Sequence, residues 1–151
     1  MKLKLEIKAL SPLLGQSVPY PKAATEGSAG IDLCACIEAP LTIPAHGRVP
    51  VPCGIAIALP SKDYVALLCA RSGLAIRKGI SLANGVGVID SDYRGEILAG
   101  LINNTDEDYT VLPGDRICQL MVLPVALPEL EFVTELSTTQ RGEGGLGSTG
   151  R

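Results

Sequence analysis

The sequence contains no tryptophan, one histidine and one phenylalanine, and its four tyrosines bring the aromatic total only to five. Proteins that hold single-stranded nucleic acid combine a basic groove with several aromatic stacking platforms. Here 13 basic residues face 16 acidic ones, for a formal charge of −3, so both ingredients are missing. A nucleic-acid polymer is not an expected partner. One histidine cannot supply two imidazoles to a zinc site, and a serine–histidine–acid relay would have to rest on His46, within the turn Pro44-Ala45-His46-Gly47.

Cysteines stand at Cys34, Cys36, Cys53, Cys69 and Cys118, an odd number without any C-x-x-C pair. This argues against a disulfide framework or a structural zinc, and fits thiols kept reduced in a cytosol. Cys34 and Cys36 share strand parity, and packing is the expected role for both. Long apolar runs are missing as well. The most apolar stretch, residues 117–127, is far shorter than the ~20 residues a membrane span needs. The opening residues 1–8 alternate charge with aliphatics, which lacks the apolar core of a signal peptide and reads as a first strand. A soluble cytoplasmic protein, with no membrane contact, is expected.

Glycine and proline are plentiful, at 17 and 11 of 151 residues. The length suits one domain. Short β-type runs recur between turn residues at 31–36, 49–59, 64–69, 87–89, 96–102, 109–112, 117–123 and 131–133, the pattern of an all-β sandwich or barrel. Only residues 72–78 read as a helix, with Ser72 as its N-cap and Gly79 as its stop. No repeat or linker divides the chain. Residues 1–136 form the expected β domain, and 137–151 a flexible glycine-rich arm.

Three places carry chemistry. In the arm, Gly142, Gly144 and Gly147 fit the G-x-G-x-x-G spacing, but no helix can follow, and Ser148 stands where a P-loop has lysine. What remains is a backbone able to converge on phosphate, with Arg141, Ser148 and Thr149 as further donors. Arg71 and Ser72 sit at the start of the helix, where free N–H groups favour anions. Residues 84–95 read as a hairpin with Asn84-Gly85 and Gly87 at its tip, followed by Asp90, Asp92 and Tyr93. Such a tip can bond the edge of a planar base, and a nearby carboxylate can activate water.

Taken together and in order, AGIDL at 29–33, RSGLA at 71–75, GVIDSDYRG at 87–95, GDRICQL at 114–120 and RGEGGLGSTG at 141–150 resemble the five motifs of the trimeric dUTPase family. The resemblance implies a homotrimer of jelly-roll-like β subunits that hydrolyses dUTP to dUMP and pyrophosphate with Mg²⁺. This reaction keeps uracil out of DNA and supplies dUMP for thymidylate synthesis. It further implies three active sites shared between subunits, each closed by a C-terminal arm. On this likeness Asp90 is the general base for the attacking water. Tyr93 excludes a 2′-hydroxyl, and Asn84 with the backbone of Gly87, Val88 and Ile89 reads uracil. Arg71, Ser72, Gly73 and Gln119 hold the phosphates, with Ser72 and Gln119 also serving catalysis. Arg141, Gly147, Ser148 and Thr149 grip the far phosphate, and Asp32 reaches the magnesium through water. Arg94 and Arg116 are expected to be structural or interfacial.

Ile31 and Ala70 depart from the family pattern as packing changes. The family's dCTP deaminase cousins typically have a second serine where Gly73 stands and a Pro-Gly-Trp run where Ser91-Asp92-Tyr93 stands, and neither occurs here. A non-catalytic nucleotide sensor using the same pocket is the other alternative, disfavoured by the intact Asp90, Ser72 and Gln119. One departure touches the ligand: Leu146 stands where the family commonly has a phenylalanine over the uracil. Leucine covers the base but forfeits an aromatic contact worth about 0.5–1.5 kcal/mol. Leu146→Phe is therefore expected to lower the KM for dUTP several-fold in steady-state kinetics, and an unchanged KM contradicts this.

Overall fold

The computed structural model describes residues 3–145. Among these, the apolar alternation resolves into twelve strands and one helix: β1 (Glu6–Ala9), β2 (Lys22–Ala23), β3 (Ile31–Cys34), β4 (Leu41–Ile43), β5 (Arg48–Pro52), β6 (Ile55–Ala58), β7 (Tyr64–Cys69), α1 (Ser72–Lys78), β8 (Ile80–Leu82), β9 (Gly87–Ile89), β10 (Leu98–Asn103), β11 (Tyr109–Val111) and β12 (Arg116–Pro124). Every ladder between these strands is antiparallel. One sheet has the order β2-β3-β12-β7-β9 and another β5-β10-β8, with β1-β6 and β11-β4 as two-stranded ribbons. Spatial neighbours are mostly remote in sequence, as in a jelly-roll-like sandwich and unlike a meander. The expected all-β class with one short helix is what the chain adopts.

The inner faces supply one core. Alternate residues point inward, as with Ala99, Leu101 and Asn103 on β10 or Ala66 and Leu68 on β7. Leu33, Ile43, Ile55, Ile80, Leu101 and Leu120 are fully buried, each stabilising the fold by about 1.5–3 kcal/mol. Asn103 is the one buried polar side chain among the described residues. Its amide donates to the carbonyls of Ile43 and Glu107, and its oxygen accepts from the backbone and hydroxyl of Thr105, so no polar group is left unpaired.

Cysteines 34, 36, 53 and 118 are buried and Cys69 is partly exposed, all unpaired. Burial and the neighbouring Asp32 charge push the Cys34 thiol up. A hydrogen bond with Cys53, together with burial, pushes Cys118 up as well. These thiols stay protonated and serve as packing groups, as expected. His46 lies in a surface turn with positive φ and bonds Asp106 at 2.8 Å, with no serine in that contact. No helix among the described residues is long and apolar enough to cross a membrane.

Four local expectations need correction. The N-cap of α1 is Arg71, with extended dihedrals, and Ser72 is the first helical residue; no side chain caps the helix. The Arg71 side chain, which would otherwise sit on the first turn, instead donates to Asp32 at 2.9 Å. Gly79, at φ +68, ends α1 as expected, its N–H bonding the Ala75 carbonyl. The run 49–59 breaks at Cys53-Gly54 into β5 and β6, which join different sheets. The segment 84–95 is not a two-stranded hairpin, because β8 before its tip pairs β10 while β9 after it pairs β7. Finally, 131–133 forms no strand, and Phe132 is 96% exposed because no strand lies beside it.

Candidate functional site

Two clefts gather the residues expected to act. The first, of about 260 Å³, is lined by Asn84, Gly87, Val88, Ile89, Asp90 and Tyr93. Its floor is fixed by register: Gly87 lies opposite Leu68 and Ile89 opposite Ala66, while the N–H of Ala83 bonds the carbonyl of Gly100 at 2.8 Å. The turn after β9 is tied at several points. The Tyr93 N–H reaches the Asp90 carbonyl, and Arg94 donates to the carbonyls of Ser91 and Tyr93 at 2.8 and 2.9 Å. Arg94 is thus a clamp on this loop, in line with its structural reading. The Tyr93 hydroxyl donates to the Glu96 carbonyl at 2.9 Å. The ring lies across Gly95, where a Cβ would run into it, so only glycine leaves room for this pose. The Asp90 side chain is exposed beside this ring.

The second cleft, of about 350 Å³, brings together Asp32, Arg71, Ser72, Gly73 and Gln119. Pairing across three strands sets them abreast, with Gln119 opposite Asp32 on β3 and opposite Cys69 on β7. The Gln119 amide donates to the Ala70 carbonyl at 3.0 Å, and its oxygen occupies the space a side chain at Gly30 would need. Asp32 accepts from Arg71 Nε at 2.9 Å on one oxygen and from Arg116 at 3.0 Å on the other. Two guanidiniums against one carboxylate leave a net positive charge, suited to an anion in a chain that is acidic overall.

Chemistry separates the two clefts. The first has apolar walls from Leu68, Ile97 and Leu98 with backbone groups at one edge, suiting a flat polar ring. The second is built of donors and suits phosphate. No residue lines both. Asp90 follows the Ile89–Ala66 pair and so falls opposite residue 65, whereas Arg71 is six residues further along that chain (71 − 65). At about 3.3 Å per residue this is roughly 20 Å. A base acts within about 3 Å, or through one water. Within a single chain the two sets therefore stand at opposite ends of β7.

Leu68, Glu96, Leu98 and Gly100 in the first cleft, and Ser28, Gly30 and Arg116 in the second, were not singled out from sequence as ligand-facing. Gly100 carried no signal beyond its glycine, whereas Arg116 and Gly30 fall inside motif runs. Arg141 lines neither cleft and bonds the Gly144 carbonyl at 2.8 Å. Leu146, Gly147, Ser148 and Thr149 lie outside the described residues.

No group of three or more His, Cys, Asp or Glu among the described residues is placed to hold a metal ion. With both oxygens engaged by arginine, Asp32 suits a bond to a metal-bound water better than direct ligation. A divalent ion at this cleft would therefore have to be held mainly by ligands other than these side chains.

A family model described as dUTPase matches residues 16–150. Relatives named deoxyuridine 5′-triphosphate nucleotidohydrolase include one from Idiomarina loihiensis, 45% identical over 148 residues and 98% of each chain. Another, from Legionella pneumophila, is 44% identical over 147 residues and 97% of each chain. Among solved structures, Staphylococcus bacteriophage 80alpha dUTPase with dUPNHPP superposes with a TM-score of 0.86 at 25% identity, covering 98% of this chain and 99% of that one.

Proposed function

The chain belongs to the dUTPase family, and from that premise we infer that it hydrolyses dUTP to dUMP and pyrophosphate at sites shared between three copies. The observation that carries the shared site is the pair of clefts, one shaped for a base and one for phosphate, each lacking what the other holds.

The base and sugar occupy the first cleft. Asn84 and the backbone of Gly87, Val88 and Ile89 bond the uracil edge, which distinguishes it from cytosine by donor and acceptor polarity. Tyr93, held on the Glu96 carbonyl, packs on the deoxyribose and leaves no room for a 2′-hydroxyl. The second cleft of a neighbouring copy holds the phosphates through Arg71, Ser72, Gly73 and Gln119. Asp90 accepts a proton from a water whose oxygen bonds the α-phosphorus. The bond from that phosphorus to the α–β bridging oxygen breaks, and pyrophosphate leaves. Mg²⁺, when bound by the phosphate oxygens, offsets their charge during this displacement. Asp32, still bonded to its arginines, would reach such an ion only through water on the ion. Arg141, Leu146, Gly147, Ser148 and Thr149 belong to the arm 137–151, which closes over a site formed by the other copies. Five unpaired thiols fit a reducing cytoplasm.

Incubation with Mg²⁺ and each deoxynucleoside triphosphate in turn tests the reading: pyrophosphate from dUTP alone supports it. Ammonia from dCTP indicates a deaminase, and tight dUTP binding without turnover a sensor. Asp90→Asn is expected to bind dUTP normally while kcat falls about 10²-fold or more, so near-normal turnover removes Asp90 from the mechanism. Gly95→Ala displaces the Tyr93 ring, and the preference for dUTP over UTP in kcat/KM should narrow by about tenfold or more. An unchanged preference contradicts the role given to that ring.

A further inference from the structure

The route by which Arg116 comes to face Asp32 is unusual for a strand residue. On β12 the side chains of Cys118 and Leu120 point into the core, and Gln119 points toward the second cleft. Strict alternation continued backwards would turn Ile117 outward and Arg116 inward. Instead Ile117 is 2% exposed, and the register shifts so that Cys118 faces Leu33 while Arg116 faces Cys34. One extra residue in the strand buries two consecutive side chains and swings Arg116 to the outer face. Bulges next to functional sites commonly re-aim a side chain in this way.

Swung outward, Arg116 holds Arg71 by two routes. Its guanidinium donates to Asp32 Oδ2 at 3.0 Å, and Asp32 Oδ1 accepts from Arg71 Nε at 2.9 Å. Its own carbonyl accepts from an Arg71 terminal nitrogen at 3.2 Å. Asp32 and Arg71 are mostly buried side chains, at 20% and 25% exposure, whereas Arg116 is 56% exposed. Two Arg71 nitrogens are thereby fixed, and the other terminal nitrogen is left for the cleft. A flexible arginine fixed beforehand loses less freedom when an anion binds.

We propose that Arg116 is a positioning residue for Arg71: the bulge in β12 delivers it to Asp32, and through Asp32 and its own carbonyl it orients the Arg71 guanidinium toward the triphosphate. The assignment rests on the dUTP reading for the identity of the anion, and on geometry alone for the positioning. Inorganic triphosphate, titrated by calorimetry, is therefore the first probe, and dUTP kinetics the second. Arg116→Gln should weaken triphosphate binding about tenfold, as Arg71→Gln does, and raise the KM for dUTP similarly with kcat within about threefold of the parent. On an Arg71→Gln background the same change should move either quantity by less than about twofold, because the group it positions is gone. Arg116→Lys keeps a donor for Asp32 and should recover most of the affinity.

Unchanged triphosphate affinity in Arg116→Gln overturns the proposal. So does an equal tenfold loss on the Arg71→Gln background, which marks a direct contact, or a loss that follows a fall in melting temperature and is not relieved by lysine. Triphosphate binding with the expected pattern but no dUTP hydrolysis by the parent protein upholds the positioning and removes the dUTP reading.

Discussion

Antiparallel pairing along both edges of β7 fixes where the chemistry stands. One edge holds β9, whose end delivers Asp90 beside the start of β7; the other holds β12, whose Gln119 lies level with Cys69 near its end. The register is held by buried residues. Ala66 and Leu68 point into the core, and a slip of one position would turn them out and bring the half-buried Val65, Leu67 and Cys69 in. The separation between base and phosphate holders is thus as stable as the core itself. A second copy of the chain is the simplest way to bring the two halves onto one substrate, because a symmetric assembly repeats every missing half as often as it repeats the chain.

Each half is rigid for its own reason. The first cleft is shaped by backbone, with loop carbonyls held by Arg94 and a tyrosine ring whose pose a Cβ at residue 95 would obstruct. The phosphate cleft is shaped by charge, with one carboxylate shared between two arginines that would otherwise repel each other. This arrangement lets a chain of net charge −3 present a local positive surface.

The fold class was legible because alternation and turn residues are local signals, and the helix end at Gly79 was legible for the same reason. β2 and β8, of two and three residues, carry little pattern of their own and exist because longer strands, β3 and β10, pair with them. The helix starts one residue earlier than Ser72's capping preference suggests, because Arg71 occupies the N-cap without any side-chain cap bond. Residues 131–133 include the β-favouring Phe132 and Val133, but a run without a neighbouring strand makes no ladder. The motif residues were found from their wording, yet their partition into two clefts depends on which strands pair. Arg116 illustrates the same limit: strict alternation would turn it inward, and only the bulge explains why it faces Asp32.

The central claim, that base and phosphate holders act from different copies, can be measured directly by mixing. Asp90→Asn chains and Arg71→Ala chains, each nearly inactive alone, are unfolded together in equal amounts and refolded before dUTP hydrolysis is assayed. A site needs an intact Asp90 from one copy and an intact Arg71 from another, so about one quarter of the parent activity should return (½ × ½). A refolded mixture no more active than the mean of the two variants alone would contradict the account.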